Sequence, residues 1–254
     1  MKIRADLHIH TVLSPCAEVE MIPPLIVERA LNVGLDLIAI TDHNSSANAA
    51  AVMEAACGTG LKVLPGIELM TREEVHLVCL FDTVEQIRTW QAQIDQAMPN
   101  LSNRADRLGE QFVVDAAGDF VRREERMLLV AANIALENAV ASVNALGGIA
   151  IPAHIDRPAN GLIAMLGFLP HHLRVDALEI SRNVSEQTAR ARYGIPDHIA
   201  VIQSSDAHWL DAIGSTATEF EFCESRSVAE LIKALQEKRY RILTEDEGRK
   251  TERV

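Results

Sequence analysis

The stretch Asp6-Leu7-His8-Ile9-His10 constrains this chain more than any other. Apolar residues alternate with Asp6, His8 and His10, which predicts a short buried strand, and side chains two apart on a strand share a face. Two imidazoles side by side at a strand end can grip one metal ion. Such a pair alone is a weak sign, so its weight depends on what the rest of the chain supplies.

Strand-like runs ending in metal-competent residues recur along the sequence. Pro23-Pro24 at the entry and Gly34 at the exit mark a helix, and residues 35–41 then form an apolar run that ends in Asp42-His43-Asn44. The Ala-rich residues 46–57 read as a helix stopped by Gly58 and Gly60, and residues 62–69 read as a strand carrying Glu68. This alternation predicts right-handed crossovers and a parallel sheet. Residues 75–81 give another strand, with His76 near its start. From about 83 to 146 the pattern turns to long helical periodicity, broken near Pro99 and Gly118, and reads as a helical insertion that covers the site. Strands resume at 148–153, ending at His154, at 177–181, containing Glu179, and at 200–204, leading into Ser205-Asp206-Ala207-His208. A last helix near 228–238, a short strand at 240–243 and a frayed charged tail after Thr244 complete a single domain over 1–254.

Composition narrows the class. Hydrophobic residues make up 48% and aromatics 4%, so the core must come from Leu, Ile, Val and Ala. A net charge of -12 argues against broad electrostatic attraction to nucleic acid, so extended nucleic acid is not the expected partner. It leaves room for a small phosphate ester at a metal site, where bound cations reverse the local charge. Cys16, Cys57, Cys79 and Cys223 are too scattered for a disulfide framework. The N-terminal residues lack a signal-like apolar run and no stretch approaches membrane-spanning length, so a reducing cytoplasm is the simplest location. Oligomeric state is open.

His8, His10, His43, Glu68, His76, His154, Asp206 and His208 all fall at or near strand ends. In a parallel barrel the C-terminal ends of the strands converge on one face, so the set has the composition of a multinuclear divalent-metal site. Asp6 and Asp42, beside these residues, are expected to orient an imidazole through its other nitrogen. His171, His172 and His198 lie outside the pattern and are expected at the surface.

Asp-Leu-His-Ile-His-Thr, Ile-Thr-Asp-His-Asn, Pro-Gly-Ile-Glu-Leu, Ile-Pro-Ala-His-Ile and Ser-Ser-Asp-Ala-His occur in the order and spacing of the PHP (polymerase and histidinol phosphatase) family, which the chain resembles over roughly residues 3–210. The resemblance implies an α/β fold, a distorted (β/α)7 TIM-like barrel, with two or three divalent ions (Mn, Fe or Zn) and phosphoester hydrolysis. It would assign His8, His10, Glu68 and Asp206 to one ion, and Glu68, His76 and His154 to a second with Glu68 bridging. His43 and His208 would bind a third. Many relatives complete that third shell with an Asp or His after the His-x-His pair. Here the loop reads Leu-Ser-Pro-Cys-Ala-Glu-Val-Glu, and Glu20, Glu18 or Cys16 could substitute, with Glu20 the preferred candidate.

Two cations can hold a hydroxide between them for attack on phosphorus and neutralise the developing charge. If the third ion is absent, His208 is a candidate acid for the leaving group, a metal-bound water being another, and Arg157 and Arg182 are candidates for bidentate contacts to phosphate oxygens. The leading expectation is a phosphatase of a small phosphomonoester, nucleotide-like or an amino-alcohol phosphate. The alternatives are a nuclease or phosphodiesterase acting on nucleic-acid ends, or an inactive metal-bound regulatory domain.

Overall fold

The structure, a computed structural model, describes residues 1–243, so the expectation of a frayed tail after Thr244 lies outside the described residues. Strand β1 (Lys2–Ile9) opens the fold, followed by α1 (Pro23–Asn32), β2 (Leu37–Ile40), α2 (Ala49–Ala55), β3 (Lys62–Met70) and β4 (His76–Leu80). Pro23 and Pro24 sit in the first turn of α1, where a missing N–H costs nothing, and Gly34 takes the left-handed conformation (φ 72°) that ends it.

The segment expected to be a helical insertion is mixed. It holds α3 (Val84–Ala97), the short α4 (Ala105–Leu108), an antiparallel hairpin of β5 (Phe112–Val114) and β6 (Phe120–Arg123), and α5 (Leu136–Ala145). Thr83 and Gln86 close α3 with a reciprocal capping box, and its Ile87, Trp90 and Ile94 are buried against the barrel's outer side. α5 is the ordinary crossover helix before the next strand. Periodicity missed the hairpin because β5 and β6 are three and four residues long and β6 is exposed throughout, with no buried face to leave an alternating pattern.

The chain continues with β7 (Ile149–Pro152), α6 (Leu162–Leu166), β8 (Ala177–Glu179), α7 (Glu186–Tyr193), β9 (Ala200–Ile202), β10 (Thr218–Glu221), α8 (Val228–Gln236) and β11 (Tyr240–Ile242). The main sheet runs β11-β10-β1-β2-β3-β4-β7, while β8 and β9 form a parallel pair of their own. Isolated bonds carry the wall onward: the Ile155 amide donates to the Glu179 carbonyl on one side, and the His10 amide donates to the Ala207 carbonyl on the other. The result is a curled half-barrel with a partial second wall, and among the described residues no continuous ladder closes it. Ile3, Ala5, Leu7, Leu37, Ala39, Leu64, Val78, Leu80 and Ile151 fill its interior, so the barrel is a packed core with its chemistry at one rim.

The expected all-parallel sheet is corrected in one place that matters. β4 pairs antiparallel with both β3 and β7. In a parallel barrel His76, at the start of its strand, would lie at the end away from the other ligands. The reversal sets His76 opposite Met70 and so delivers it to the rim where Glu68 stands.

Candidate metal centre

Five imidazoles surround one carboxylate. Glu68 Oε1 lies 2.8 Å from His76 Nδ1, 3.1 Å from His154 Nε2 and 3.2 Å from His8 Nε2, and Oε2 lies 2.8 Å from His43 Nδ1 and 3.5 Å from His10 Nε2. Asp206 Oδ1 adds a second pole, 3.1 Å from His10 Nε2 and 3.3 Å from His8 Nε2. His208 donates through Nδ1 to the Asp206 carbonyl and stacks on His10 with ring centroids 4.1 Å apart. The sequence-predicted set of His8, His10, His43, Glu68, His76, His154, Asp206 and His208 is thus brought together at one rim.

Backbone conformation at the rim is unusual. His154 (φ 31°), Asp206 (φ 50°) and Asn44 (φ 50°) all adopt positive φ without being glycine, at positions directly after strands or beside a ligand. Such conformations persist where the surroundings over-determine them, which is common at functional sites.

Hydrogen bonds set which nitrogen faces inward. Glu179 accepts from His8 Nδ1 at 3.0 Å, which leaves Nε2 of His8 facing Glu68 and Asp206, the nitrogen free for a cation once its proton is lost. Asp42 accepts from the Thr11 amide, the Thr11 hydroxyl and the Ser14 hydroxyl, and Ser14 Oγ in turn accepts from His10 Nδ1 at 2.9 Å. Asp42 therefore orients His10 through Ser14. The Nε2 atoms of His8 and His10 face each other at 3.2 Å.

The fit to bound cations is tested by what is left unsatisfied. His43 Nδ1, Glu68 Oε2, both ring nitrogens of His76, His154 Nδ1 and Asp206 Oδ1 are buried and make no hydrogen bond of acceptable geometry. A buried polar atom without a partner costs about 1–3 kcal/mol, so six in one cluster point to partners of another kind. Three triads of ligand atoms, each within 4.8 Å of one another, take in His43, Glu68 and His76 from that group: His8, His10 and Glu68; His43, Glu68 and His76; and His10, His43 and His208. Imidazole and carboxylate together suit divalent transition metals.

The charges agree with this. Burial opposes ionisation of Glu68, but His76, His8 and His43 outweigh it and hold the carboxyl well below its usual range. Burial likewise opposes protonation of His43, yet Glu68 and Cys16 raise it to about 10. His8 is held well above its usual value against its own burial by Glu179, Asp206 and Glu68, whereas His10 falls well below, through burial and the neighbouring His208 and His43. Protons thus occupy part of the space a cation would take.

Several expectations change. Glu20 is exposed and belongs to none of the triads, as is Glu18. The loop between Thr11 and Met21 instead turns Cys16 toward His43 and His208, whose hydrogen bonds outweigh burial and lower its thiol to about 7. Asp6 orients no imidazole: it accepts from the Ser205 and Gly214 amides, because β1 bulges between Asp6 and Ile9 and breaks the two-residue alternation. Arg157 lies on the rim but its guanidinium is engaged with Asp206 Oδ2 at 2.5 Å. Arg182 is exposed and lines a neighbouring cavity. Glu179 is the functional residue that sequence reasoning passed over, since a single carboxylate on a strand carries no local signal. His171, His172 and His198 are exposed, as expected.

Comparison with known proteins now decides the family. The sequence model of the PHP domain matches residues 6–158, and that of a PHP-associated region matches residues 190–240. The chain belongs to the PHP domain family. Two solved PHP-fold neighbours are the lesion-specific endonuclease PfuEndoQ from Pyrococcus furiosus (TM-score 0.72, 22% identity, 95% of this chain and 58% of that one) and an Endonuclease Q complexed with a 27-mer duplex bearing an abasic lesion at the active site (TM-score 0.67, 20% identity, 93% and 57%). A curated relative, the 5'-3' exoribonuclease Rnm of Escherichia coli K12, is 35% identical over 80 residues, 30% of this chain. The matched part is about a quarter of that relative's length (26%).

These relatives overturn the expectation of a small phosphorylated partner with extended nucleic acid excluded. The charge argument behind it fails for a physical reason: net charge sums over the whole surface, whereas phosphate binding depends on local potential, which divalent cations held at such a cluster would reverse. As to location, among the described residues no helix is long and apolar enough to cross a membrane.

Proposed function

We propose that this protein is a metal-dependent nuclease that hydrolyses phosphodiester bonds of nucleic acid. The observation that carries the reading is the cluster around Glu68, which lines a cavity of about 290 Å³ together with His154, Arg157, Asn160 and His208. The nucleases among its relatives support nucleic acid as the substrate class.

In this reading His8, His10, Glu68 and Asp206 hold one ion, and Glu68, His76 and His154 a second. His43, His208 and Cys16 stand where a third would be held. Bound cations would supply a water of lowered pKa and neutralise charge on the transferring phosphoryl group. The chain's own contributions are positional. Glu179 and the Asp42–Ser14 pair fix the two imidazoles of the opening motif, and Arg157, at the cavity rim, presents its solvent side to phosphate oxygens while its inner side braces Asp206. Where no third ion is held, His208, half-buried at the mouth, is the candidate to protonate the leaving oxygen.

The test is incubation of the metal-loaded protein, in separate reactions with Mn, Fe and Zn, with end-labelled single-stranded and duplex DNA and RNA. Shortened products that disappear with chelator and in the Glu68→Ala variant are expected. Intact strands under every metal would refute the reading.

A further inference from the structure

A second cavity, of about 260 Å³, shares His154, Arg157, Asp206 and His208 with the first. Its walls come from two turns. One carries Arg182 and Asn183 after β8, and the other carries His208 and Trp209 after β9. Trp209 is 45% exposed there, although the chain's other tryptophan, Trp90, is completely buried. Among the described residues Arg182 has no hydrogen-bond or ion-pair partner.

Both turns are clamped from below. Asp156 accepts from the Ser181 amide and hydroxyl, and the Gln203 side-chain amide donates to the carbonyls of Ser181 and Val184, which fixes the turn bearing Arg182. Asp6, fully buried, accepts from the amides of Ser205 and Gly214, which fixes the two ends of the loop bearing Trp209. An indole and a guanidinium held in place around a polar cavity, one residue from His208, form a preorganised recognition site. A lone exposed aromatic needs no explanation, but one set in the wall of a cavity continuous with the reaction site does.

We infer that this cavity is a subsite for one unpaired nucleobase next to the scissile phosphodiester, with Trp209 as its stacking platform and Arg182 on the adjoining phosphate. The inference rests on the nuclease reading and adds the substrate form: a base can stack on Trp209 only when it is free of its own helical neighbours, so the subsite selects single-stranded or frayed segments. Stacking on an aromatic tolerates any base and works for DNA and RNA alike, because every base has a π-face. The guanidinium adds a charge-assisted contact to a phosphate oxygen.

The experiment compares wild type with Trp209→Ala and Trp209→Phe, all metal-loaded, on single-stranded DNA and RNA of equal length. A third substrate is an oligomer of abasic tetrahydrofuran phosphates. Trp209→Ala should raise KM for the base-bearing strands by about 5- to 150-fold, the range that loss of one stacked base gives, with kcat far less affected, and Trp209→Phe should restore most of it. On the abasic oligomer wild type and Trp209→Ala should be alike. A phosphorothioate strand should shift wild-type tryptophan emission, since Trp209 is the exposed indole, and should leave Trp209→Phe emission unchanged. Equal KM values for wild type and Trp209→Ala on base-bearing strands, together with unmoved wild-type emission at saturation, would overturn the subsite while leaving the nuclease reading intact. A wild-type protein that cuts no strand at all would overturn both.

Discussion

Glu179→Gln isolates the contribution of a residue that touches no ion in any of the ligand triads. The carboxylate only accepts hydrogen bonds: from His8 Nδ1, at 3.0 Å to Oε1 and 3.3 Å to Oε2, and from the His154 amide at 3.2 Å. His8 must therefore carry its proton on Nδ1 and aim a lone pair from Nε2 at the site. Glutamine keeps the shape and loses the charge. If its oxygen stays on the His154 amide, its NH2 faces His8 Nδ1, which must become an acceptor, and the imidazole proton moves to the nitrogen that should bind the ion. Replacing a charge-assisted bond by a neutral one costs about 1 kcal/mol, and the tautomer penalty adds to it. Loss of such an orienting partner typically lowers metal affinity about 10- to 100-fold, or about 1.4–2.8 kcal/mol. Competition with a chromophoric chelator measures the affinity. Imidazole nitrogen NMR of the metal-free protein supplies a second readout: Glu179 is the strongest of the charges that raise His8, so in the variant burial should dominate and the His8 pKa should fall. Affinity within twofold of the parent and an unmoved His8 resonance would refute this account of the site.

The remaining predictions address metal, protons and the loop clamp. Chelation should lower Tm by several degrees, because it returns buried His76, His154 and Asp206 atoms to an unpartnered state; a thermal scan with and without chelator that superimpose would contradict the assigned ligands. His43, raised to about 10 in the metal-free protein, is protonated at pH 7, so cation binding should release protons and tighten as pH rises toward 10, which calorimetry in buffers of different ionisation heat will detect. Burial pushes Asp6 up to about 6 from 3.8, which favours its neutral form in the folded state. Its contribution of about 3 kcal/mol is thus present below pH 4 and lost as pH rises through 6, and Asp6→Asn should flatten that slope in urea titrations run at pH 4 and pH 7. Glu68→Ala and His10→Ala should each abolish turnover while far-UV circular dichroism stays native, and undiminished rates in either would count against the cluster.

Local signals carried much of this protein. Pro23-Pro24 and Gly34 bound α1 because each acts within one turn of the residues it terminates, and apolar runs placed β2, β3 and β7 for the same reason. His8, His10, His43, Glu68, His154 and Asp206 were legible as a set because each lies within four residues of the C-terminal end of a strand, and strand ends of a barrel meet. What tertiary structure alone decided depends on contacts between residues distant in sequence. Glu179 reaches His8 across 171 positions, and Asp6 reaches Ser205 and Gly214 across 199 and 208. The reversal of β4 comes from its pairing with β3 and β7, which no residue within it announces. Loop conformation turned the exposed Cys16 toward His43 and His208 and left Glu20 and Glu18 in solvent, a choice that composition leaves open because thiolate and carboxylate are both competent ligands. A one-dimensional pattern reports which side chains share a face of their own strand or helix; which foreign side chain waits opposite that face is fixed only when the sheet curls.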